Sequence, residues 1–242
     1  MNFGPQIVRS GLVLYLDAAN KKSYKGSGNS WLNLANTSYN STLYNFGATT
    51  FNSSNGGSIV FDGSDDYASS GALVGSFASF SVIVWFYPTS VSNYENPIDC
   101  NYGYNGTTGN IGPRLEMNDA GNLTWVYSNI TNNNDAFYTQ AVVQSGLTAN
   151  TWHCAGITYN GSSNTSTTFY NGNSTGLSRG SYGSPTGFIA VMNNITIGKG
   201  FSLGGVERAF TGRVAQTLIY DRTLSASEVL QNFNAVKTRF GL

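Results

Sequence analysis

The sequence predicts an all-β protein, a two-sheet antiparallel jelly-roll sandwich closed by one short C-terminal helix. Three observations carry this. About a dozen apolar, β-branched or aromatic runs of strand length recur between spacers rich in Gly, Asn and Ser. Aromatic residues make up 14% of the chain, which also holds 29 glycines, the mixture expected of pleated strands joined by tight polar turns. Only the last stretch switches to a helical period. At 242 residues the chain is read as one domain over residues 1–242, a size all-β sandwiches commonly reach. It is long enough to bury a substantial core.

Taken in order, Gly11-Leu-Val-Leu-Tyr-Leu-Asp17 is an apolar run bounded by turn residues and reads as a buried first strand. Lys21 to Ser30 is a polar, Gly/Ser-rich loop, and Trp31-Leu-Asn-Leu34 supplies an apolar anchor. The stretch from there to Gly57 reads as loop. Gly57 to Asp62 is a strand, Asp62-Gly-Ser-Asp-Asp66 a turn, and a second strand begins at Tyr67. Phe80 to Pro88 is the most apolar run. Apolar residues at both parities place it as a central strand covered on both faces, and Pro88 ends it. Val91 to Gly112 reads as a long polar loop carrying Tyr94, Tyr102 and Tyr104. Arg114–Asn118 and Leu123–Tyr127 flank Asp119-Ala-Gly-Asn122, a hairpin signal. A polar loop, Asn129 to Asp135, precedes strands at Phe137–Gln144 and Thr151–Tyr159. After the tip Asn160-Gly-Ser-Ser-Asn164, the chain returns at Thr167–Gly172.

The C-terminal third is the most legible part. Asn194-Ile-Thr-Ile-Gly198 is a strand, and a long strand follows from Phe210 to Tyr220. Strict alternation places Val214, Gln216, Leu218 and Tyr220 on one face and Ala215, Thr217 and Ile219 on the other. Ser225-Ala-Ser-Glu228 is a capping box: the Ser225 hydroxyl accepts from the Glu228 N–H, and the Glu228 carboxylate reaches back. Leu224 and Val229 hold the two staple positions. Val229, Leu230, Phe233 and Val236 recur at helical spacing over about 226–239. Lys237 and Arg239 fall near the helix C-terminus, where the dipole favours cations.

Composition narrows the function. Twelve basic and 12 acidic residues leave a net charge of zero, and no basic run offers a nucleic-acid partner its footprint. No apolar run approaches the roughly 20 residues that cross a bilayer, so no membrane insertion is expected. The first residues carry no secretory signal pattern, which places synthesis in a cytosol. Cys100 and Cys154 read as buried free thiols, since cytosolic disulfides are rare.

Catalytic material is thin. Retaining glycoside hydrolysis needs two carboxyls roughly 5 Å apart. The chain has only Glu95, Glu116, Glu207 and Glu228. None of these sits in a Glu-x-Asp-x-x-Glu stretch. Glu116 and Asp119 are the nearest pair, but Asp119 opens a turn, where Asp is favoured for its own geometry. Glu228 is occupied by the helix cap. His153 is the only histidine. It shares a strand face with Ala155, Ile157 and Tyr159, which makes it a core histidine. Adjacent Cys154 points to the opposite face, so the two form no nucleophile pair. Asp62, Asp65 and Asp66 place three hard oxygen donors around a glycine turn, a set suited to Ca²⁺. The alternative is that Asp62 and Asp65 only close Asx turns. Tyr94, Tyr102, Tyr104 and Tyr138 lie in Asn- and Gly-rich surroundings and supply aromatic faces for a carbohydrate ligand.

Two groups of residues resemble a known family. Ile197-Gly198, Phe210-x-Gly-Arg-Val214 and Ile219-Tyr-Asp-Arg-x-Leu-Ser-x-x-Glu-Val229 resemble the C-terminal signature of laminin-G/concanavalin A-like lectin domains. Gly11-Leu-Val-Leu-Tyr-Leu-Asp-Ala18, Trp31-x-Asn-Leu34 and Gly56-Gly-Ser-Ile-Val-Phe-Asp-Gly-Ser-Asp-Asp-Tyr67 resemble a laminin-G-like subtype frequent in virion proteins of tailed phages, notably marine and cyanobacterial ones. Where relatives of that subtype often carry Asp-Leu-Ser-Gly-Asn-Gly-Asn, this chain has Asn33-Leu-Ala-Asn-Thr-Ser-Tyr39. The resemblance implies a concanavalin A-like fold and strengthens the Ca²⁺ assignment at the sandwich rim. It also implies a non-enzymatic virion structural or adhesion protein, in head decoration or a tail fibre. Its expected partners are other virion proteins, a host-surface glycan, and copies of itself in a homo-oligomer or lattice. A free lectin and a glycoside hydrolase are the alternatives.

Overall fold

The computed structural model describes residues 4–36, 38–48, 50–71, 76–91, 93–100, 109–131, 134–175, 179–182, 190–192, 194–201 and 206–242. Among them, two large antiparallel sheets and one α-helix build the molecule. The eight-stranded sheet runs Asn173–Ser174, Thr165–Tyr170, His153–Asn160, Phe80–Pro88, Thr211–Tyr220, Ser58–Asp62 and Phe51–Asn52, with Leu12–Asp17 also paired to Thr211–Tyr220. The nine-stranded sheet runs Arg179–Tyr182, Asn134–Gln144, Leu123–Thr131, Gly109–Met117, Glu95–Asp99, Ile195–Ile197, Tyr67–Gly71, Ser41–Tyr44 and Ser30–Trp31. No described helix is long and apolar enough to cross a membrane.

Phe80–Pro88 is the central strand its composition demands. It lies between His153–Asn160 and Thr211–Tyr220 and is buried on both faces. One face, with Phe80, Val82, Val84 and Phe86, joins the core between the sheets, where Leu115, Met117, Trp125 and Ile197 meet it from the other side. The other face, with Ile83 and Trp85, joins a second core beneath the C-terminal helix. Cys100 belongs to the first core and Cys154 to the second, and both are free thiols.

That helix, α1 (Ala226–Val236), starts on the expected capping box, and a 3₁₀ turn (Lys237–Phe240) continues it. Leu224, Val229, Phe233 and Val236 are buried. The Trp85 ring stacks on Phe233 at 5.3 Å and on Phe240 at 4.4 Å. Two details differ from the sequence reading. Leu230 is 42% exposed, and the buried place at that level of the helix goes to Asn232. Its side chain accepts from the Val8 N–H at 2.8 Å and donates to the Tyr220 hydroxyl at 3.0 Å. Arg239 lies beyond α1 and binds Asp17 at 3.0 Å, so a carboxylate, not the helix dipole, holds it.

The long strand also departs from strict alternation. A bulge between Val214 and Gln216 shifts its register against Phe80–Pro88. Val214 therefore packs with Ile219 between the sheets, while Ala215, Leu218 and Tyr220 face the helix. One extra residue reverses the pleat, which alternation cannot anticipate. Three loop assignments are corrected as well. The stretch before Gly57 holds the strands Ser41–Tyr44 and Phe51–Asn52. The segment read as loop from Val91 to Gly112 holds Glu95–Asp99, a fully buried strand between Gly109–Met117 and Ile195–Ile197. In the segment read as a loop from Asn129 to Asp135, Ile130 pairs with Asp135 and Thr131 with Asn134 as strand partners.

Candidate functional site

The acidic turn joins the two sheets at their rim: Asp62 ends a strand of one and Tyr67 begins a strand of the other. Gly63 turns the chain with φ +81°, and a Cβ there would collide with the Thr211 hydroxyl, so glycine is required. Thr211 is itself fixed, donating from its N–H and hydroxyl to the Glu95 carboxylate at 3.0 and 3.2 Å. Burial raises the carboxyl pKa of Glu95, and those bonds from Thr211 oppose the rise. Within the turn, Asp62 accepts from the Ser64 N–H at 2.8 Å, the Asx-turn bond expected of it.

Asp66 does something else. Its Oδ2 accepts from the Asp62 N–H at 3.1 Å, whereas its Oδ1 is buried with no hydrogen-bond partner. The residue is only 4% exposed. Burial raises its pKa, the charges of Asp62 and Asp65 raise it further, and the Asp62 N–H works the other way. One oxygen from each of the three aspartates lies within 4.8 Å of the others. Oxygens bound about 2.3–2.6 Å from a common Ca²⁺ can lie up to about 5 Å apart. The spacing, the hard donors and the idle buried oxygen all fit a Ca²⁺ ion, with Asp62, Asp65 and Asp66 as its holders.

Beside this turn lies an aromatic face that the sequence reading passed over. Tyr44 and Tyr67 are paired across neighbouring strands, with ring centroids 4.9 Å apart and planes 17° apart. Tyr44 is 42% exposed. The pair is continuous with the acidic turn through both chains. Tyr67 follows Asp66, and Asn45, next to Tyr44, donates its amide to the Asp65 carbonyl at 3.1 Å. Asn45 is left-handed, φ +67°, a conformation Asn tolerates. Lys199 stands 5.5 Å from the Tyr67 ring centre and pairs with Glu207 at 2.8 Å.

Of the tyrosines expected from the sequence, only Tyr94 has a described side chain, and it does not join this face. Tyr94 is exposed, but the Arg208 guanidinium covers its ring at 4.4 Å. Tyr102 and Tyr104 lie outside the described residues. Tyr138 lies in Asn134–Gln144, opposite Tyr182 in the register, and its side chain is outside those described. The one signal for Tyr44 was its parity in Ser41-Thr-Leu-Tyr44, too short a run to read as a strand.

The remaining candidates have structural occupations. Glu116 is buried between Arg114 at 3.4 Å and Arg208 at 2.6 Å, while Asp119 sits in the exposed turn. His153 Nδ1 meets the Tyr170 hydroxyl at 2.7 Å and Nε2 meets the Thr148 carbonyl at 2.8 Å. The carbonyl can only accept, so Nε2 carries the proton and Nδ1 accepts from the tyrosine. Burial holds the imidazole below its usual pKa.

A family model described as the concanavalin A-like lectin/glucanases superfamily, of the laminin G type, matches residues 61–230. Among solved structures, the chain is similar to the native heptameric SAP-like pentraxin from Limulus polyphemus. The identity is 13% and the TM-score 0.52, over 72% of this chain and 79% of that one. It is similar to the binding domain of botulinum neurotoxin DC in complex with SialylT, at 14% identity and TM-score 0.65, over 95% of this chain and 52% of that one. A mutant Trypanosoma rangeli sialidase displaying trans-sialidase activity is similar at 13% identity and TM-score 0.59, over 96% and 34% of the two chains. At such identities the likeness is one of fold. The chain spans about half the length of the botulinum domain. No curated protein matches it.

Proposed function

Because the chain belongs to the concanavalin A-like lectin/glucanase superfamily, we propose that it is a non-enzymatic carbohydrate-binding protein. It engages sugar on the Tyr44–Tyr67 face, beside a Ca²⁺ ion held by Asp62, Asp65 and Asp66. The observation that carries this is the continuity of a stacked tyrosine pair, Tyr44 exposed and Tyr67 half-buried, with an acidic turn holding an idle buried oxygen. An aromatic face takes the apolar side of a sugar ring, and fixed polar groups beside it orient the hydroxyls. The solved relatives add support: a botulinum binding domain is described in complex with SialylT, and a pentraxin as heptameric.

The absence of catalysis in this reading is supported by Glu116. Its carboxylate is buried and taken up by ion pairs to Arg114 and Arg208. Polysaccharide cleavage that disappears in Glu116→Gln would favour the hydrolase instead. The finer proposal is that the module is mounted on a tailed-phage virion, as head decoration or on a tail fibre, in contact with other virion proteins and with copies of itself. What supports it is the resemblance of residues 11–18, 31–34 and 56–67 to that virion subtype. Stoichiometric presence in purified particles is the expected result, and absence from them would leave a free lectin.

The test of sugar binding is a glycan array read with and without Ca²⁺, on the wild type and Tyr44→Ala. Binding should need both the ion and the ring. A flat array at high protein concentration overturns the proposal.

A further inference from the structure

Residues within 23–32, 43–48 and 50–51 line three adjoining hollows of about 420, 410 and 250 Å³ at the surface. They meet around Gly28, and together they are taken as one groove. Gly28 lines all three, Asn29 is shared by the first and second, and Ser27 by the second and third. Asn45 lines the first hollow and donates to the Asp65 carbonyl, so this end abuts the acidic turn and the Tyr44 ring. The walls are mostly Gly, Ser, Asn and Thr, with Phe46 and Phe51 offering ring surface.

The other end is cationic. Lys25 lines the second hollow. The Lys21 ammonium donates to the Lys25 carbonyl at 3.4 Å and stands 5.7 Å from the centre of the Phe51 ring, which lines the third. Both lysines are exposed, and neither pairs with a carboxylate among the described residues. No Asp or Glu lines any of the three hollows. Three of the chain's 12 basic residues, Lys21, Lys22 and Lys25, fall in this one loop. A neutral glycan would find hydrogen-bond partners here but nothing to answer those charges. A chain of sugars bearing anionic groups would find both.

We propose that the ligand is an acidic oligosaccharide several sugar units long. One unit rests on the Tyr44–Tyr67 face, and the chain runs along the groove with its anionic groups against Lys21 and Lys25. The inference rests on the sugar-binding reading above and names the ligand class of that site.

The test is calorimetric titration with hexamers of galacturonate, mannuronate and hyaluronate, each against its neutral methyl ester, at matched free Ca²⁺. At least one acidic hexamer should bind about tenfold or more tighter than its ester, the preference should weaken with added salt, and Lys21→Ala/Lys25→Ala should remove it. Ser27→Trp, at an exposed position, should plug the groove and weaken hexamer binding while leaving the monosaccharide affinity unchanged. Melting curves that match the wild type will confirm that these surface variants fold. If esters and acids bind alike, or the acidic preference survives the double lysine variant, the inference falls. The sugar-binding reading then stands as long as Tyr44→Ala abolishes binding. If no sugar of either kind binds, both fall.

Discussion

Asp66 carries the sharpest single-residue consequence. Its pKa is raised in the folded protein, so its charged form opposes folding at neutral pH. That penalty fades as the pH falls through the raised value, and a bound cation would remove it by supplying the opposite charge. Asp66→Asn should therefore melt higher than the wild type without Ca²⁺, by about 2–4 °C for each kcal/mol relieved in a chain of this size. Added Ca²⁺ should raise the wild-type melting temperature and leave the variant unchanged. Differential scanning fluorimetry with and without CaCl₂ reads both, and a variant that melts lower would make Asp66 a structural residue. Gly63 acts by shape alone. Its φ of +81° and the Thr211 hydroxyl where a Cβ would stand make Gly63→Ala costly by more than about 1 kcal/mol. Chemical denaturation measures that loss, and calcium affinity should fall with it because the turn can no longer close.

At the scale of elements, the helix cap is also a pH-sensitive device. Arg222 forks onto Glu228 with contacts of 2.6 and 3.0 Å, and the Ser225 N–H donates to the same carboxylate at 2.9 Å. The hydrogen bond from Arg222 is the main cause holding the Glu228 pKa at about 2, below its ordinary 4.5. The folded value lies below the unfolded one, so this stabilisation is complete above about pH 4.5 and is lost as the pH falls towards 2. Glu228→Gln should cost about 1 kcal/mol at neutral pH, the usual worth of a cap, and should flatten stability against pH in that acid window. A variant with the wild-type acid profile would show that other carboxylates set it. The antiparallel strand pair Ser41–Tyr44/Tyr67–Gly71 forms the proposed sugar platform. It holds two tyrosine rings at a fixed spacing by strand register, so the platform needs no reordering when a ligand arrives.

Across the whole molecule, the eight-stranded sheet is covered on both faces, by the partner sheet and by the helix. Phe233 links the helix to Trp85, and Phe233→Ala should cost about 3–5 kcal/mol, read by urea unfolding. A loss under 1 kcal/mol would mean that Val229, Val236 and Phe240 hold the interface without it. The same layering separates Cys100 from Cys154. Burial pushes both thiols above their usual pKa, so both should react with a thiol reagent only after denaturant unfolds the chain. Outside that double core, the rim carries the groups proposed to bind sugar. The acidic turn, the tyrosine pair and the groove are joined there through Asn45.

Local patterns were sufficient to determine the central Phe80–Pro88 strand, the capping box at Ser225–Glu228 and the acidic turn at 62–66. Each depends on residues within a few positions of one another, and periodicity or hydrogen-bonding chemistry identifies it without the rest of the chain. The tertiary structure alone decided that Glu95-Asn-Pro-Ile-Asp99 is a buried strand, because its neighbours supply the ladder its composition argues against. It also decided which face Val214 takes, through one bulge. It brought Tyr44 against Tyr67, 23 positions apart in the chain, and left Asp66 with an oxygen that nothing local could show to be idle. Side chains meet by register and sheet order, and those are set by the packing of the whole sandwich.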